Sequence, residues 1–234
     1  MAKKGGSKHF VRLGAQKSLG VVDRKKVKWL LAPSPGTHGK RESVSIGVLL
    51  RDVLRMASNL HEVRRMLNAG AVLVDGKKVK SPKFPVGPMD IVSDVAGKKT
   101  YRMEFSGPNL APKEVAGEAA SRKYLKAVRK HTVKGGKTCI TFHDGRNYLG
   151  DNGIRTGDTC VFSVPGFELG AHIKLAQGAQ CIVMSGKHRG AMAKLEKIVE
   201  RPGSHAAEAV LSGPEGEFIT VVKYLFVIDG NYSQ

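Results

Sequence analysis

Acidic residues are scarce in this chain. Twenty Asp and Glu stand against 39 Lys and Arg in 234 residues, leaving a formal net charge of +19. That balance argues against cationic partners and for a polyanion, because each Lys or Arg set beside a phosphate releases condensed counterions. Long apolar runs are missing too. No stretch of about 18 apolar residues occurs, so no membrane-spanning helix is expected. The N-terminus has no signal-peptide core, so secretion is not expected either.

Cysteine is sparse, with only Cys139, Cys160 and Cys181 present. The three cannot all pair with one another and form no CxxC or Cys/His spacing, so neither a disulfide framework nor a zinc site is expected. Each lies in an apolar, strand-like run, the setting of a small buried hydrophobe in a reduced, cytosolic protein. Catalytic constellations are also wanting. Gly136-Lys137-Thr138 ends like a phosphate-binding loop, but His131 stands where the earlier glycine is required. His143 and Asp144 are adjacent and point apart on a strand, with no serine elbow or paired carboxylate beside them. No enzyme, no cofactor and no small-molecule substrate are expected.

What is present is a core-forming content of 41% hydrophobic residues, enough for one to three small domains. The positive charge is weighted toward the N-terminal half: residues 1–42 carry 11 basic and 2 acidic side chains, residues 171–234 carry 7 and 6. The opening segment lacks a helical period, and Pro33-Ser34-Pro35-Gly36 forces a turn. Phe10, Leu13, Val27 and Trp29 give it docking surfaces, so it reads as an arm that becomes ordered on RNA. Its candidate contacts are Lys3, Lys4, Lys8, Arg12, Lys17, Arg24, Lys25, Lys26, His38, Lys40 and Arg41.

From residue 43 the pattern sharpens. Ile46, Leu49, Leu50, Val53, Leu54 and Ala57 recur at helical spacing, with Arg51, Asp52 and Arg55 on the other face, where Arg51 and Arg55 are further candidate RNA contacts. Asn59 is a predicted N-cap with Glu62 three residues on, opening a second helix that buries Leu60, Val63, Met66 and Leu67 and ends at Gly70. His61, Arg64, Arg65 and Asn68 face outward. Asp75-Gly76 between apolar, β-favouring residues signals a type I′ hairpin, with Lys77 and Lys78 on its second strand, and Asp90-Ile91-Val92 follows. This order resembles the S-four RNA-binding module of ribosomal proteins, pseudouridine synthases and some tRNA synthetases. The resemblance rests on Glu62-Val63-Arg64-Arg65, Gly70, the run from Val72 to Val79, and Asp90-Ile91-Val92. It implies that helix and hairpin form a basic surface for structured RNA, carried here by Arg64, Arg65, Lys77 and Lys78. Asn59-Leu60 departs from the family, where many members have Ser or Thr followed by Arg.

Strand-like fragments dominate residues 96–170. The stretch from Arg122 to Lys134 is expected to begin as a short basic helix and continue as a strand, turning at Gly135-Gly136 into Thr138–Phe142; Thr159–Val164 is another strand. In the last segment, Gln180 to Ile198 resembles the KOW motif of ribosomal and transcription-elongation proteins: a strand, a basic loop bounded by Gly186 and Gly190, and a second strand. Lys187, His188 and Arg189 in that loop are candidate phosphate contacts. Asn231-Tyr232-Ser233 is a glycosylation sequon by letter only.

The whole order resembles one family, the archaeal and eukaryotic small-subunit ribosomal protein family S-four-e. Further matching stretches are Lys8 to Lys17, Pro33 to His38, His143 to Arg146 and Asn152 to Thr159. Asn147 to Asp151, and the lack of the longer C-terminal tail of eukaryotic members, point to the archaeal type. The expected fold is α+β and mostly β. It comprises a basic arm (1–42), an S-four-like RNA-binding module (43–95), a small central β domain (96–170) and a C-terminal KOW/SH3-like barrel (171–234). The resemblance implies a structural constituent of the small ribosomal subunit, cytoplasmic and present as a single copy, with small-subunit rRNA and neighbouring ribosomal proteins as partners. A KOW-containing adaptor of transcription or RNA processing is the alternative.

Overall fold

The computed structural model describes residues 10–15, 25, 27–95, 97–150, 153–201, 206–214 and 216–233. The arm candidates Lys3, Lys4, Lys8, Lys17, Arg24 and Lys26 lie outside these described residues. The fold is mostly β, and the chain divides into two compact units. One runs to Glu104 and includes Asn109–Glu114; the other comprises Phe105–Pro108 and everything from Val115 onward.

In the first unit, Phe10–Val11 pairs antiparallel with Trp29–Leu30. The expected first helix is shorter than its apolar spacing suggests. A turn of α-helix at Ile46–Val48 widens into a π-type turn at Leu49–Val53, closed by Leu54 N–H donating to the Leu49 carbonyl at 2.9 Å. The chain then turns away through Arg55, whose φ is +53°. The reason lies in the burial: Ile46, Val48, Leu49 and Leu50 are all fully inaccessible, and a regular α-helix with one apolar stripe cannot bury such consecutive residues. The second helix, Leu60–Asn68, follows the one-stripe rule, burying Val63 and Leu67 completely. Five strands in the spatial order Lys77–Lys78, Val72–Val74, Ile91–Asp94, Lys99–Ser106 and Asn109–Val115 complete the layer beside it.

The second unit holds two five-stranded antiparallel sheets. The first has the order Asn147–Gly150, Thr138–Phe142, Arg122–Thr132, Thr159–Ser163 and Leu169–Ile173. No helix interrupts residues 122–132, contrary to the expected helical start. That strand has a partner along its whole length, so its backbone bonds go to neighbours instead of to itself. Arg122–Lys126 pairs with Thr159–Ser163, and Ala127–Thr132 pairs with Thr138–Phe142 across a bulge between Ala127 and Arg129. Leu125, Ala127, Ile140, Phe142, Ile154, Cys160 and Phe162 form its core.

The second sheet runs Gly216–Val221, Glu208–Gly213, Met192–Val199, Gln180–Val183 and Leu225–Ile228, closing over Cys181, Val183, Leu195, Leu211, Leu225 and Val227. All three cysteines are buried free thiols. Burial pushes the thiols of Cys160 and Cys181 up to about 11, so neither is a thiolate at neutral pH. Among the described residues no helix is long and apolar enough to cross a membrane.

Candidate nucleic-acid interface

The helix Leu60–Asn68 is anchored by a reciprocal cap. The Asn59 side-chain oxygen accepts from Glu62 N–H at 2.9 Å, while the Glu62 carboxylate accepts from Ser58 N–H at 2.7 Å and from the Asn59 amide at 3.3 Å. With Val63 and Leu67 buried, the same helix must turn His61, Arg64, Arg65 and Asn68 to solvent, and all four are exposed. Gly70, at φ +71°, ends it as predicted. Its missing side chain leaves room for Lys78: a Cβ at Gly70 would stand 3.2 Å from Lys78 Cδ and 3.6 Å from Nζ. The hairpin lysine therefore runs alongside the helix terminus.

The hairpin turn has the geometry its sequence calls for, with Asp75 at φ +49° and Gly76 at +72°. Asp75 is more than a turn former. Its backbone N–H donates to the Ile91 carbonyl at 2.8 Å, and its Oδ1 accepts from Ile91 N–H at 3.1 Å, fixing the hairpin to the next strand. Lys77 and Lys78 stand exposed on the outer strand.

The remaining candidates divide by environment. Lys25, Lys40, Arg41 and Arg55 are exposed, with Lys40 Nζ lying 4.4 Å from the centroid of the Phe10 ring. Arg12 is turned inward: it is 2% exposed and its Nη2 lies 3.0 Å from Asp52 Oδ2. Arg51 grips the same carboxylate at 2.7 and 3.0 Å. Burial alone would raise the Asp52 carboxyl, but the hydrogen bonds from Arg51 and Arg12 outweigh it and hold the group below its ordinary value. Arg12 and Arg51 thus tie the arm to the helical segment. His38 is also inward, 6% exposed, with Nε2 3.0 Å from Asp90 Oδ2. That oxygen accepts from Gly87 N–H at 2.9 Å, and a Cβ at Gly87 would come within 2.3 Å of the His38 ring.

In the loop between Gly186 (φ +93°) and Gly190 (φ +82°), only Lys187 is exposed. His188 stacks on Phe218, their centroids 4.5 Å apart, and the Arg189 guanidinium sits 5.0 Å from the Phe105 ring. Gly190 passes so close to Gly107 that a Cβ would fall 1.7 Å from its carbonyl oxygen. Elsewhere, Asp144 is fully buried between Lys123 Nζ at 3.5 Å and Arg146 Nε at 3.1 Å, and the His143 ring nitrogen Nδ1 accepts from Lys126 N–H. That pair is occupied with holding strands together. The cap and turn patterns mark Glu62 and Asp75, whereas no sequence pattern marks Asp52 and Asp90 as the partners that hold Arg12 and His38.

A capped helix and a type I′ hairpin presenting cations, joined to antiparallel β sheets, define a structural nucleic-acid-binding class of protein. Comparison with known proteins narrows it. Residues 49–92 match the S4 domain and residues 98–169 match the ribosomal family S4e. The small ribosomal subunit protein eS4 of Methanothermobacter thermautotrophicus is 38% identical over 209 residues, covering 88% of this chain and 86% of that protein. The eS4 protein of Archaeoglobus fulgidus is 36% identical over 221 residues, covering 94% and 92%. The crystal structure of the 30S ribosomal protein S4e from Thermoplasma acidophilum superposes with a TM-score of 0.68 at 31% identity, covering 80% of this chain and 95% of that one. The chain belongs to the ribosomal S4e family, a structural and not an enzymatic family.

Proposed function

We propose that this chain is a structural constituent of the small ribosomal subunit, working in the cytoplasm as one copy per subunit. It holds folded rRNA through Arg64, Arg65, Lys77 and Lys78, assisted by Lys25, Lys40, Arg41, Arg55 and Lys187 and by the arm lysines and arginines. The carrying observation is the helix–hairpin face, where a cap, a buried apolar stripe and a type I′ turn turn His61, Arg64, Arg65, Lys77 and Lys78 to solvent. Phosphate and sugar contacts would outnumber base contacts, because cations on a rigid face read shape and charge. Arg12, Arg51, His38, His188 and Arg189 act one step back, holding the segments that carry the contacting residues. Neighbouring ribosomal proteins would share the assembled site.

The test is the binding of the purified chain to small-subunit rRNA as salt is raised. The four cations of the helix–hairpin face alone predict that log K falls with log salt at a slope of about −3, and the assisting cations make it steeper. A flat response between 50 and 200 mM salt would contradict the proposal.

A further inference from the structure

We propose that the hairpin formed by residues 129–141 is a second RNA-binding site, taking the phosphate backbone through Arg129, Lys134 and Lys137. The inference rests on the reading of the chain as an rRNA binder and extends it to a part of the molecule to which no contact was assigned. From Arg122 to His143 the chain holds seven Lys and Arg and no Asp or Glu, the flanking acids being Glu118 and Asp144. Burial and pairing sort those seven into two groups. Arg122 is paired with Glu118, Lys123 with Asp144, and the buried Lys126 and the half-buried Lys130 donate to backbone carbonyls. These four hold the unit together. Arg129, Lys134 and Lys137 are exposed, and no ion pair among the described residues engages them.

The topology explains why those three project. The strand Arg122–Thr132 is paired with Thr159–Ser163 only as far as Lys126, and past the bulge its ladder partner is Thr138–Phe142 alone. Beyond that point the ladder continues as three strands, with Asn147–Gly150 pairing along the hairpin as far as Thr138, so the turn from Val133 to Lys137 projects past it. The bulge between Ala127 and Arg129 places Arg129 opposite Thr141, whose hydroxyl bonds Asn147 at 2.7 Å on a polar face. At the end, Gly135 (φ +86°) and Gly136 (φ +72°) have nothing within 4 Å of where a Cβ would lie, so a partner can approach the backbone there. An acid-free finger with three exposed cations and an open glycine tip fits a polyanionic groove. Val128 and Leu149 are exposed at its base, but the projecting Lys134–Lys137 turn holds only lysine and glycine, which suits a polyanion better than a protein surface.

The test uses the full chain with Arg129→Gln, Lys134→Gln and Lys137→Gln combined, and purified small-subunit rRNA as probe. Because all three side chains are exposed, the thermal midpoint should stay that of the wild type. The salt slope should fall in magnitude by about 2 to 3, roughly 0.7–0.9 per lost phosphate contact. One backbone-cleavage footprint should disappear, and an Arg64→Glu/Lys77→Glu variant should retain that footprint. A wild-type chain that binds with its full slope while the triple variant matches it would overturn the hairpin alone. Loss of incorporation into subunits without change in slope would assign the hairpin to a protein neighbour and also overturn the proposal. A wild-type chain with no salt-dependent binding would remove the parent reading as well.

Discussion

Lys126 offers a quantitative test of how the second unit is held together. Its side chain is buried and its ammonium donates to the carbonyls of Lys223 at 2.7 Å and Leu225 at 2.5 Å, joining a strand of the first sheet to the segment entering Leu225–Ile228. Burial pushes its pKa down from 10.5 to about 8, the nearby Lys223 adding to the shift and Cys181 opposing it. The folded value is the lower one, so between the two values the unfolded chain holds the proton and the folded chain does not. Stability from this group therefore rises as pH rises through that window, and the cost of burying the charge is fully present below it. From pH 7 to pH 10 the gain is about 2.5 kcal/mol.

Lys126→Met removes both the charge and its pH dependence, while leaving two carbonyls short of a donor at roughly 1–3 kcal/mol each. The two effects nearly offset at pH 7, where wild type and variant should lie within about 2 kcal/mol of each other. At pH 10 the wild type should lead by about 2.5 kcal/mol more than it did at pH 7. Urea unfolding of both proteins at the two pH values measures this directly. Unfolding curves whose difference does not change with pH would refute the reasoning, because they would mean that the amine titrates alike in folded and unfolded chains.

Further outcomes follow from other close contacts. Gly190→Ala places a Cβ 1.7 Å from a backbone oxygen at a positive φ, and should destabilise the second unit by about 2 kcal/mol or more in thermal unfolding. Gly135→Ala, at a comparable φ but in open space, should cost only about 1 kcal/mol. Asp75→Ala should cost about 2 kcal/mol, since it removes the acceptor for Ile91 N–H and a residue that tolerates positive φ. Asp52→Asn should weaken the wild type's hold on Arg12 and Arg51. Because the Asp52 carboxyl is held low in the folded state, the wild type's advantage is present above the ordinary carboxylate value of 3.8 and shrinks as pH falls below it, which acid titration of both proteins would read.

Much of the fold could be read from local patterns because those patterns are self-contained. Asn59 with Glu62, Val63 with Leu67, Gly70, and Asp75-Gly76 each specify their geometry within a few residues, and the structure has them so. The first helix and the basic stretch at 122–134 were misread for one shared reason. Leu49 and Leu50 are buried side by side, Lys123 and Lys126 are paired with Phe162 and Thr159 more than 30 residues on, and no local period reports either. The interface was legible in residue type and not in environment. Arg12 and His38 look like their exposed neighbours in sequence, and only Asp52 and Asp90, some 40 to 50 residues away, turn them inward. In the loop at 186–190, Phe218 and Phe105 do the same for His188 and Arg189.

The central claim is that the helix–hairpin face holds the chain in the small subunit. Cells expressing tagged wild type or Arg64→Glu/Lys77→Glu would be fractionated, and small subunits washed at high salt would be assayed for the tag. Both positions are exposed, so the variant should match the wild type in thermal unfolding. The account predicts wild type retained on washed subunits and the variant absent from them. A folded variant retained at the wild-type level would contradict it.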